Sequence, residues 1–161
     1  MEKTAFYKFK FGYFKIKYRN DIVIYLKKVS EIDCENQTSK LSDDVFLQIQ
    51  EYLEGKRAVF DFPYVLMGTD FQKKVWNALC DIPYGQTRSY KDIAEAVGSP
   101  KAYRAVGMAN NKNPITIALP CHRVIGANGK LVGYAGGMDM KEYLLELERS
   151  KKDVKEGVAD K

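Results

Sequence analysis

Three consecutive residues, Cys121, His122 and Arg123, supply a nucleophile, a base and a cation. Apolar residues flank them on both sides, which predicts that the motif is buried. A free cysteine has a pKa of roughly 8.5 and is mostly thiol at neutral pH, so nucleophilic chemistry at Cys121 requires a base. His122 is the only histidine of the chain and therefore the only imidazole that could serve. On these residues alone, a buried strand end with a small apolar cysteine remains the alternative.

The segment around this motif is basic. Between residues 96 and 138 there is no Asp or Glu, whereas five cations occur there: Lys101, Arg104, Lys112, Arg123 and Lys130. Their sum equals the formal net charge of the whole chain, +5. A positive field favours the thiolate and also attracts a polyanion such as nucleic acid.

Length and composition bound the class of protein. With 161 residues, of which 45% are hydrophobic, the chain can build one domain or two small ones. It contains no apolar run of about 18 residues, and its start lacks the apolar region of a signal peptide, so we expect a cytoplasmic protein without membrane association. Three cysteines without CxxC spacing predict neither a disulfide framework nor a zinc cluster.

The first 67 residues are predicted to form an N-terminal α/β domain that ends in a linker. Residues 4–29 alternate in the manner of two or three antiparallel strands. Their interleaved lysines and aromatics favour a solvated face, with a nucleic-acid face as the alternative. A helix is expected to follow, with Ser42 as its N-cap and Gly55 at its end. The stretch 56–68 has no clear period and is interpreted as the linker.

Residues 68–150 are predicted to form a helical second domain, and residues 151–161 a flexible tail. Thr69 and Gln72 have capping-box spacing at the start of one helix. Ser89 is expected to cap the helix 90–97, and Ser99 the helix 101–109. Two short helices joined by Gly-Ser-Pro are typical of a helix-turn-helix, although many helical hairpins bind nothing. A last helix is expected over about 139–149.

Several short motifs occur in the order and spacing of one known family. They are Phe71-Gln72-x-x-Val75-Trp76, Ser89-Tyr90, Pro100-Lys101-Ala102-Tyr103-Arg104-Ala105-Val106-Gly107, Asn113-Pro114, Pro120-Cys121-His122-Arg123-Val124 and Tyr134-Ala135-Gly136-Gly137. Over roughly residues 68–149 the chain resembles the O6-alkylguanine-DNA alkyltransferases.

The resemblance implies an α+β fold, with an N-terminal ribonuclease-H-like α/β domain that contains an antiparallel sheet. The second domain would be helical and winged-helix-like, with the helix-turn-helix inside it. It also implies DNA repair by direct, stoichiometric transfer of an alkyl group from O6-alkylguanine to Cys121, without turnover. The partner would be double-stranded DNA, bound through its minor groove by a monomer, and neither a cofactor nor a metal would be needed.

The same resemblance implies roles for individual residues. The catalytic set is Cys121 as nucleophile and alkyl acceptor, His122 as base acting through a water, Glu148 orienting His122, and Asn113 and Tyr90. The DNA-binding set is Arg104 as a finger that replaces the extruded nucleotide, with Lys101, Ala102, Tyr103 and Arg123. The substrate pocket is Val124, Tyr134, Ala135 and Lys141. The bridging water is expected because an extended segment would point Cys121 and His122 to opposite sides.

Alternatives remain at two levels. On the residues alone, Glu148 is one of three acids on its helix, with Glu142 and Glu146, and a solvated face would explain all three. At the level of function, a lesion sensor without transfer would have no use for Cys121. A Cys-His hydrolase would not need the basic segment, and a plain helix-turn-helix regulator would leave the Cys-His motif without a purpose.

Overall fold

A computed structural model describes residues 1–129, 131, 133–134 and 136–159, with side chains through Lys152. The chain forms two compact units. The first comprises Met1–Met67 together with Pro114–Thr116, and the second comprises Gly68–Asn113 and the chain from Ile117 onward. The return of Pro114–Thr116 to the first unit was not predicted. Among the helices of the described ranges, none combines the length and the apolarity that crossing a membrane requires.

The first unit is built on an antiparallel sheet, as predicted. Its strands β1 (Glu2–Phe9), β2 (Gly12–Arg19) and β3 (Ile22–Val29) pair in the order β1-β2-β3. Alternate residues Phe14, Ile16 and Tyr18 of β2 are buried, which gives the period of two that the sequence shows. Asn20 adopts a left-handed φ of 52° in the turn between β2 and β3, a conformation that asparagine tolerates.

The free edge of β3 explains why Pro114–Thr116 belong to the first unit. The Leu26 N–H donates to the Pro114 carbonyl at 2.8 Å, and the Thr116 N–H donates to the Leu26 carbonyl at 2.9 Å. Further along the same edge, the Val23 N–H donates to the Pro63 carbonyl at 3.0 Å. These bonds satisfy backbone groups that an edge strand would otherwise expose.

Helix α1 (Lys40–Leu53) follows the sheet, and the Phe46 ring stacks on Tyr7 of β1 with a centroid distance of 4.6 Å. The prediction of Ser42 as its N-cap was wrong, because the N-cap is Ser39. Ser42 is the third residue of the helix, and its hydroxyl accepts from the Ser39 N–H at 2.8 Å while its own N–H donates to the Ser39 hydroxyl at 3.2 Å. A serine therefore takes the place that Glu or Gln holds in the usual capping box.

The described residues of the second unit form four helices, a short parallel strand pair and a 3-10 turn. In order these are α2 (Asp70–Leu79), β4 (Arg88–Ser89), α3 (Tyr90–Ala96), α4 (Tyr103–Asn111), the 3-10 turn (Cys121–Arg123), β5 (Val124–Ile125) and α5 (Met138–Ala159). Strands β4 and β5 pair in parallel. The predicted caps Thr69 and Ser89 are confirmed, each in a capping box. The buried Trp76 indole N–H donates to the Ala109 carbonyl at 2.8 Å and joins α2 to α4.

The bounds of α4 and the end of α5 differ most from the prediction, and α4 ends at Asn111 rather than at residue 109. Helix α4 begins at Tyr103 rather than directly after Ser99, because residues 99–102 form a turn in which the Ala102 N–H donates to the Ser99 carbonyl at 2.8 Å. Helix α5 continues to Ala159, through most of the predicted tail. The residues beyond Arg149 lack an apolar stripe, but many are good helix formers, so propensity carries the helix further than the pattern indicated.

Candidate active site

Cys121 begins a 3-10 turn rather than ending a strand. The Arg123 N–H donates to the Pro120 carbonyl at 2.9 Å, and Cys121 is 2% exposed. A 3-10 turn has three residues per turn, so neighbouring side chains are not on opposite sides. The expectation of an extended segment at Cys121 and His122 is therefore wrong. The bridging water stays a prediction.

Two buried asparagines hold the backbone of this turn. The Asn113 side-chain amide donates to the Leu119 carbonyl at 2.7 Å. The Asn110 amide donates to the Cys121 carbonyl at 3.3 Å, and the sequence had not singled out this residue. Ile117, between Asn113 and Cys121, has a φ of 71°, which is a genuine outlier for a β-branched side chain. The approach to Cys121 is thus a fixed and locally strained turn.

His122 and Glu148 form a hydrogen-bonded pair in the interior of the second unit. Their side chains are 0% and 1% exposed, and Nε2 of His122 lies 2.7 Å from Oε2 of Glu148. Burial lowers the pKa of His122 below its usual value, although Glu148 opposes the shift. Burial would raise the pKa of Glu148, but His122 and Arg123 outweigh it and hold that pKa well below its usual range. At neutral pH the pair is therefore a neutral imidazole that donates from Nε2 to a carboxylate.

The register of α5 explains why this acid, rather than its neighbours, reaches His122. Lys141, Leu144 and Glu148 are all buried, and their spacing of three and four residues puts them on one face of the helix. Glu142 and Glu146 lie on the solvent side. The solvated-face alternative therefore holds for those two acids and fails for Glu148.

Arg123 has a different environment from the one predicted. Its side chain is 9% exposed, Nε donates to Oε1 of Glu148 at 2.7 Å, and Nη2 donates to Oε2 at 2.9 Å. Nη1 donates to the Ile82 carbonyl at 2.7 Å, and the guanidinium carbon lies 5.7 Å from the centre of the Tyr84 ring. The guanidinium donors of Arg123 are engaged inside the protein, which does not favour a DNA contact, and its assignment to the DNA-binding set stays a prediction. A buried arginine requires an acid as its partner, and Glu148 on α5 was a candidate. No spacing in the sequence, however, indicates that Arg123 and Glu148 form a pair.

Three predicted site residues, Lys141, Tyr90 and Tyr134, lie close enough to Cys121 to interact with it electrostatically. Lys141 is fully buried, its Nζ donates to the Val124 carbonyl at 2.6 Å, and burial lowers its pKa to about 8. Burial and the nearby Cys121 raise the pKa of Tyr90, and they raise that of Tyr134 well above its usual value. Val124 itself is fully buried at the start of β5. Ala135, the remaining predicted pocket residue, lies outside the described part of the chain.

The other members of the predicted DNA-binding set lie at the start of α4. Lys101, Tyr103 and Arg104 are exposed, and Ala102 is half-buried. Tyr103 keeps half of its surface, 50%, in solvent. The second unit therefore presents an exposed cationic surface and, separately, a buried constellation of thiol, imidazole, carboxylate and guanidinium.

Comparison with known proteins shows which family has this arrangement of residues. The family described as "6-O-methylguanine DNA methyltransferase, DNA binding domain" matches residues 70–150. The methylated-DNA–protein-cysteine methyltransferase of Methanosarcina barkeri is 56% identical over 114 residues, which are 71% of this chain and 72% of that protein. The chain belongs to this methyltransferase family. The protein of the same name from Methanosarcina mazei is 52% identical over 80% of this chain and 83% of its own length.

Solved structures of this family share the mixed α/β fold. The crystal structure of Mycobacterium tuberculosis O6-methylguanine methyltransferase superposes with a TM-score of 0.86 at 40% identity, over 94% of each chain. The Mycobacterium tuberculosis protein in complex with DNA superposes with a TM-score of 0.85 at 41% identity, over 92% of this chain and 93% of that one.

Proposed function

We propose that this chain repairs DNA by moving an alkyl group from the O6 atom of alkylguanine in a duplex to its own Cys121. The observation that carries the proposal is the buried Cys121 in a family motif, next to the hydrogen-bonded pair of His122 and Glu148. Membership of the methyltransferase family, with relatives more than 50% identical, supports the same reaction.

The first step is proton transfer from the thiol. Because Nε2 of His122 donates to Glu148, Nδ1 is the ring nitrogen that can accept the Cys121 proton, directly or through a water. Glu148 then stabilises the imidazolium and keeps its orientation, as the acid does in a catalytic triad. Lys141, whose pKa is lowered to about 8, contributes positive charge beside the resulting thiolate while it is protonated.

The second step is the alkyl transfer itself. The Cys121 sulfur attacks the alkyl carbon, the new S–C bond forms, and the C–O6 bond breaks with its electron pair moving onto the guanine. The guanine takes up one proton at the ring, which balances the proton that the thiol lost. Tyr90 is the donor that would serve the ring. The product at Cys121 is a thioether, which is not a hydrolysable ester, so each chain reacts once.

Recognition of the lesion is assigned to the start of α4. Its exposed cations favour the phosphate backbone, and Arg104 would fill the space of the extruded nucleotide and offset part of the cost of flipping. Entry through the minor groove suits a protein that must accept any sequence around its lesion. We assign the finer labels in the same way: a ribonuclease-H-like first domain, a winged-helix-like second domain, and action as a monomer.

The test is the intact mass of the protein after incubation with a duplex that carries one O6-methylguanine. We expect a gain of one methyl group, about 14 Da, located on Cys121 and limited to one per chain. The Cys34→Ser and Cys80→Ser variants should gain the same mass, whereas Cys121→Ser should gain none. These variants separate the proposed acceptor from the other two thiols.

Two results would count against the proposal. A mass gain on Cys34 or Cys80 in place of Cys121 would identify a different cysteine as the alkyl acceptor. No gain, combined with tight and salt-sensitive binding of the same duplex, would identify a lesion sensor instead.

A further inference from the structure

We propose that Arg123 is a positioning residue for the alkyl transfer: its fork on Glu148 fixes the carboxylate and keeps His122 neutral at rest, ready to take the Cys121 proton. The inference deepens the proposed function and rests on it. It assigns to Arg123 a part in preparing the base rather than a contact with DNA.

The fork gives Glu148 a single possible orientation. Arg123 donates to both carboxylate oxygens, at 2.7 Å and 2.9 Å, and the oxygen at 2.9 Å is also the partner of His122 at 2.7 Å. The backbone N–H of Gly85 lies 3.4 Å from the other oxygen. Bidentate contacts of this kind fix geometry as well as supplying energy. Without the fork, the carboxylate could rotate away from the imidazole.

The guanidinium is itself held from the opposite side. Nη1 donates to the Ile82 carbonyl at 2.7 Å, and the Tyr84 ring lies 5.7 Å away. Ile82 and Tyr84 belong to the loop after α2, so Arg123 joins that loop to Glu148 on α5. Because these contacts lie within one unit and Ile82, Arg123 and Glu148 are buried, the fold sets the position of the carboxylate.

Arg123 also balances the charge of the network. With a neutral imidazole, Arg123 and Glu148 sum to zero. If Arg123 were absent, a neutral imidazole would leave an uncompensated carboxylate in the interior, and the pair could neutralise it only by holding a proton on His122. An imidazolium at rest cannot act as a base. The arginine therefore supplies the positive charge that would otherwise be taken from the base itself.

The groups around His122 are consistent with this balance. Burial lowers its pKa, Glu148 raises it, and Arg123 and Lys141 lower it. The ionisable groups that face the network from each neighbouring element are Glu148 and Lys141 of α5, Cys121 and Arg123 of the 3-10 turn, Cys80 at the end of α2, Tyr84 in the following loop, Tyr90 at the start of α3, and Tyr134. Among these, Arg123 is the cation in direct contact with Glu148.

The experiment uses the fact that His122 is the only histidine of the chain. Its imidazole C–H resonances in the NMR spectrum of the untagged full chain report one titration without assignment. Because burial lowers the pKa of His122, we expect the imidazole of the wild type to be neutral at pH 7 and above, with a midpoint below the usual value. In Arg123→Met the midpoint should rise by about one pH unit or more, that is, at least tenfold in the protonation constant.

Two further variants make the result specific. Arg149→Met removes an arginine from the same helix as Glu148, where it pairs with the exposed Glu146, and it should leave the titration unchanged. Arg123→Lys retains the charge but not the fork, so its midpoint should rise by less than that of Arg123→Met. If Arg123→Met does not fold, Arg123→Lys carries the test, because a midpoint and a reaction rate equal to those of the wild type would remove the need for the fork.

The rate of Cys121 alkylation by free O6-benzylguanine supplies the second readout. The acidic limb of its pH profile should move upward in Arg123→Met together with the NMR midpoint. A merely structural role would lower the rate at all pH values without moving the limb, and that result would overturn the proposal. An unchanged NMR midpoint in a folded Arg123→Met would overturn it as well. The NMR titration needs no alkyl transfer, so a wild type that titrates as expected but gains no mass would refute only the proposed function.

Discussion

Two regions of the second unit handle charge in opposite ways. In the network formed by His122, Arg123 and Glu148, each side chain is at most 9% exposed and every charge has a partner within 3 Å. At the start of α4, Lys101 and Arg104 are exposed in a segment of the sequence without any acid. Balanced charge in the interior fixes a proton-transfer geometry. Unbalanced charge at the surface leaves binding capacity for a polyanion.

The comparison predicts that substitutions in the two regions have different signatures. A change in the buried network should affect transfer to any substrate and also the stability of the fold. A change at the start of α4 should affect only substrates that contain a duplex and should leave stability near its original value.

Glu148→Gln should give the largest effect. The glutamine cannot stabilise an imidazolium, so the rate of Cys121 alkylation should fall about 100-fold, both with duplex substrate and with free O6-benzylguanine. Arg123 would also remain as a buried charge without its carboxylate, so the free energy of unfolding should decrease by about 3 to 5 kcal/mol. Single-turnover kinetics and urea unfolding measure the two quantities.

The matched control is Glu146→Gln on the same helix, where the acid is exposed and pairs with Arg149. It should leave the alkylation rate unchanged. It should change the free energy of unfolding by no more than about 0.5 kcal/mol. If Glu148→Gln and Glu146→Gln lost the same alkylation rate and the same stability, the burial of Glu148 would not explain its effect. The proposed difference between the buried network and the surface would then be refuted for the buried network.

The exposed region was the easier of the two to predict from sequence. The absence of acids between residues 96 and 138 and the two short helices with turn residues between them are properties of the sequence itself. Side chains on a solvated surface need no partners, so composition and period are enough to describe them. The prediction failed in the bounds of α4, which begins later because residues 99–102 form a separate turn and which ends at Asn111.

The buried network could be predicted in its members but not in its contacts. The residue types alone pointed to Cys121 and His122, and the resemblance added Glu148. The partner of Arg123, however, is 25 residues away along the chain and belongs to another element. Only the fold decides which acid of α5 faces inward, although the spacing of Lys141, Leu144 and Glu148 on one helical face was visible in the sequence. The same holds for Asn110, which the sequence did not single out and whose amide bonds the Cys121 carbonyl.

Arg104→Ala should give the next largest effect, restricted to duplex DNA. The finger offsets a flipping cost of a few kcal/mol, so repair of O6-methylguanine in a duplex should slow about 10- to 100-fold, whereas the reaction with free O6-benzylguanine should keep its rate. Lys112→Ala, at the other end of α4, should weaken duplex binding only modestly. Equal losses of rate with the two substrates would refute the assignment of Arg104 as the finger. Arg104 would then affect the transfer step itself, as the residues of the buried network do.

Lys141→Met should have the smallest effect. It tests the difference between the buried and the exposed region through the pH dependence of the unfolding free energy. Burial lowers the pKa of Lys141 from 10.5 to about 8 in the folded chain. Between these two values the unfolded chain binds the proton and the folded chain does not, so this lysine makes stability rise with pH over that window. At 1.36 kcal/mol per unit, the unfolding free energy of the wild type relative to Lys141→Met should increase by about 1 to 3 kcal/mol from pH 8 to 10.5. Lys101→Met, on the exposed side, should show no such increase, and a parallel rise in both variants would mean that Lys141 is not desolvated in the way its burial implies.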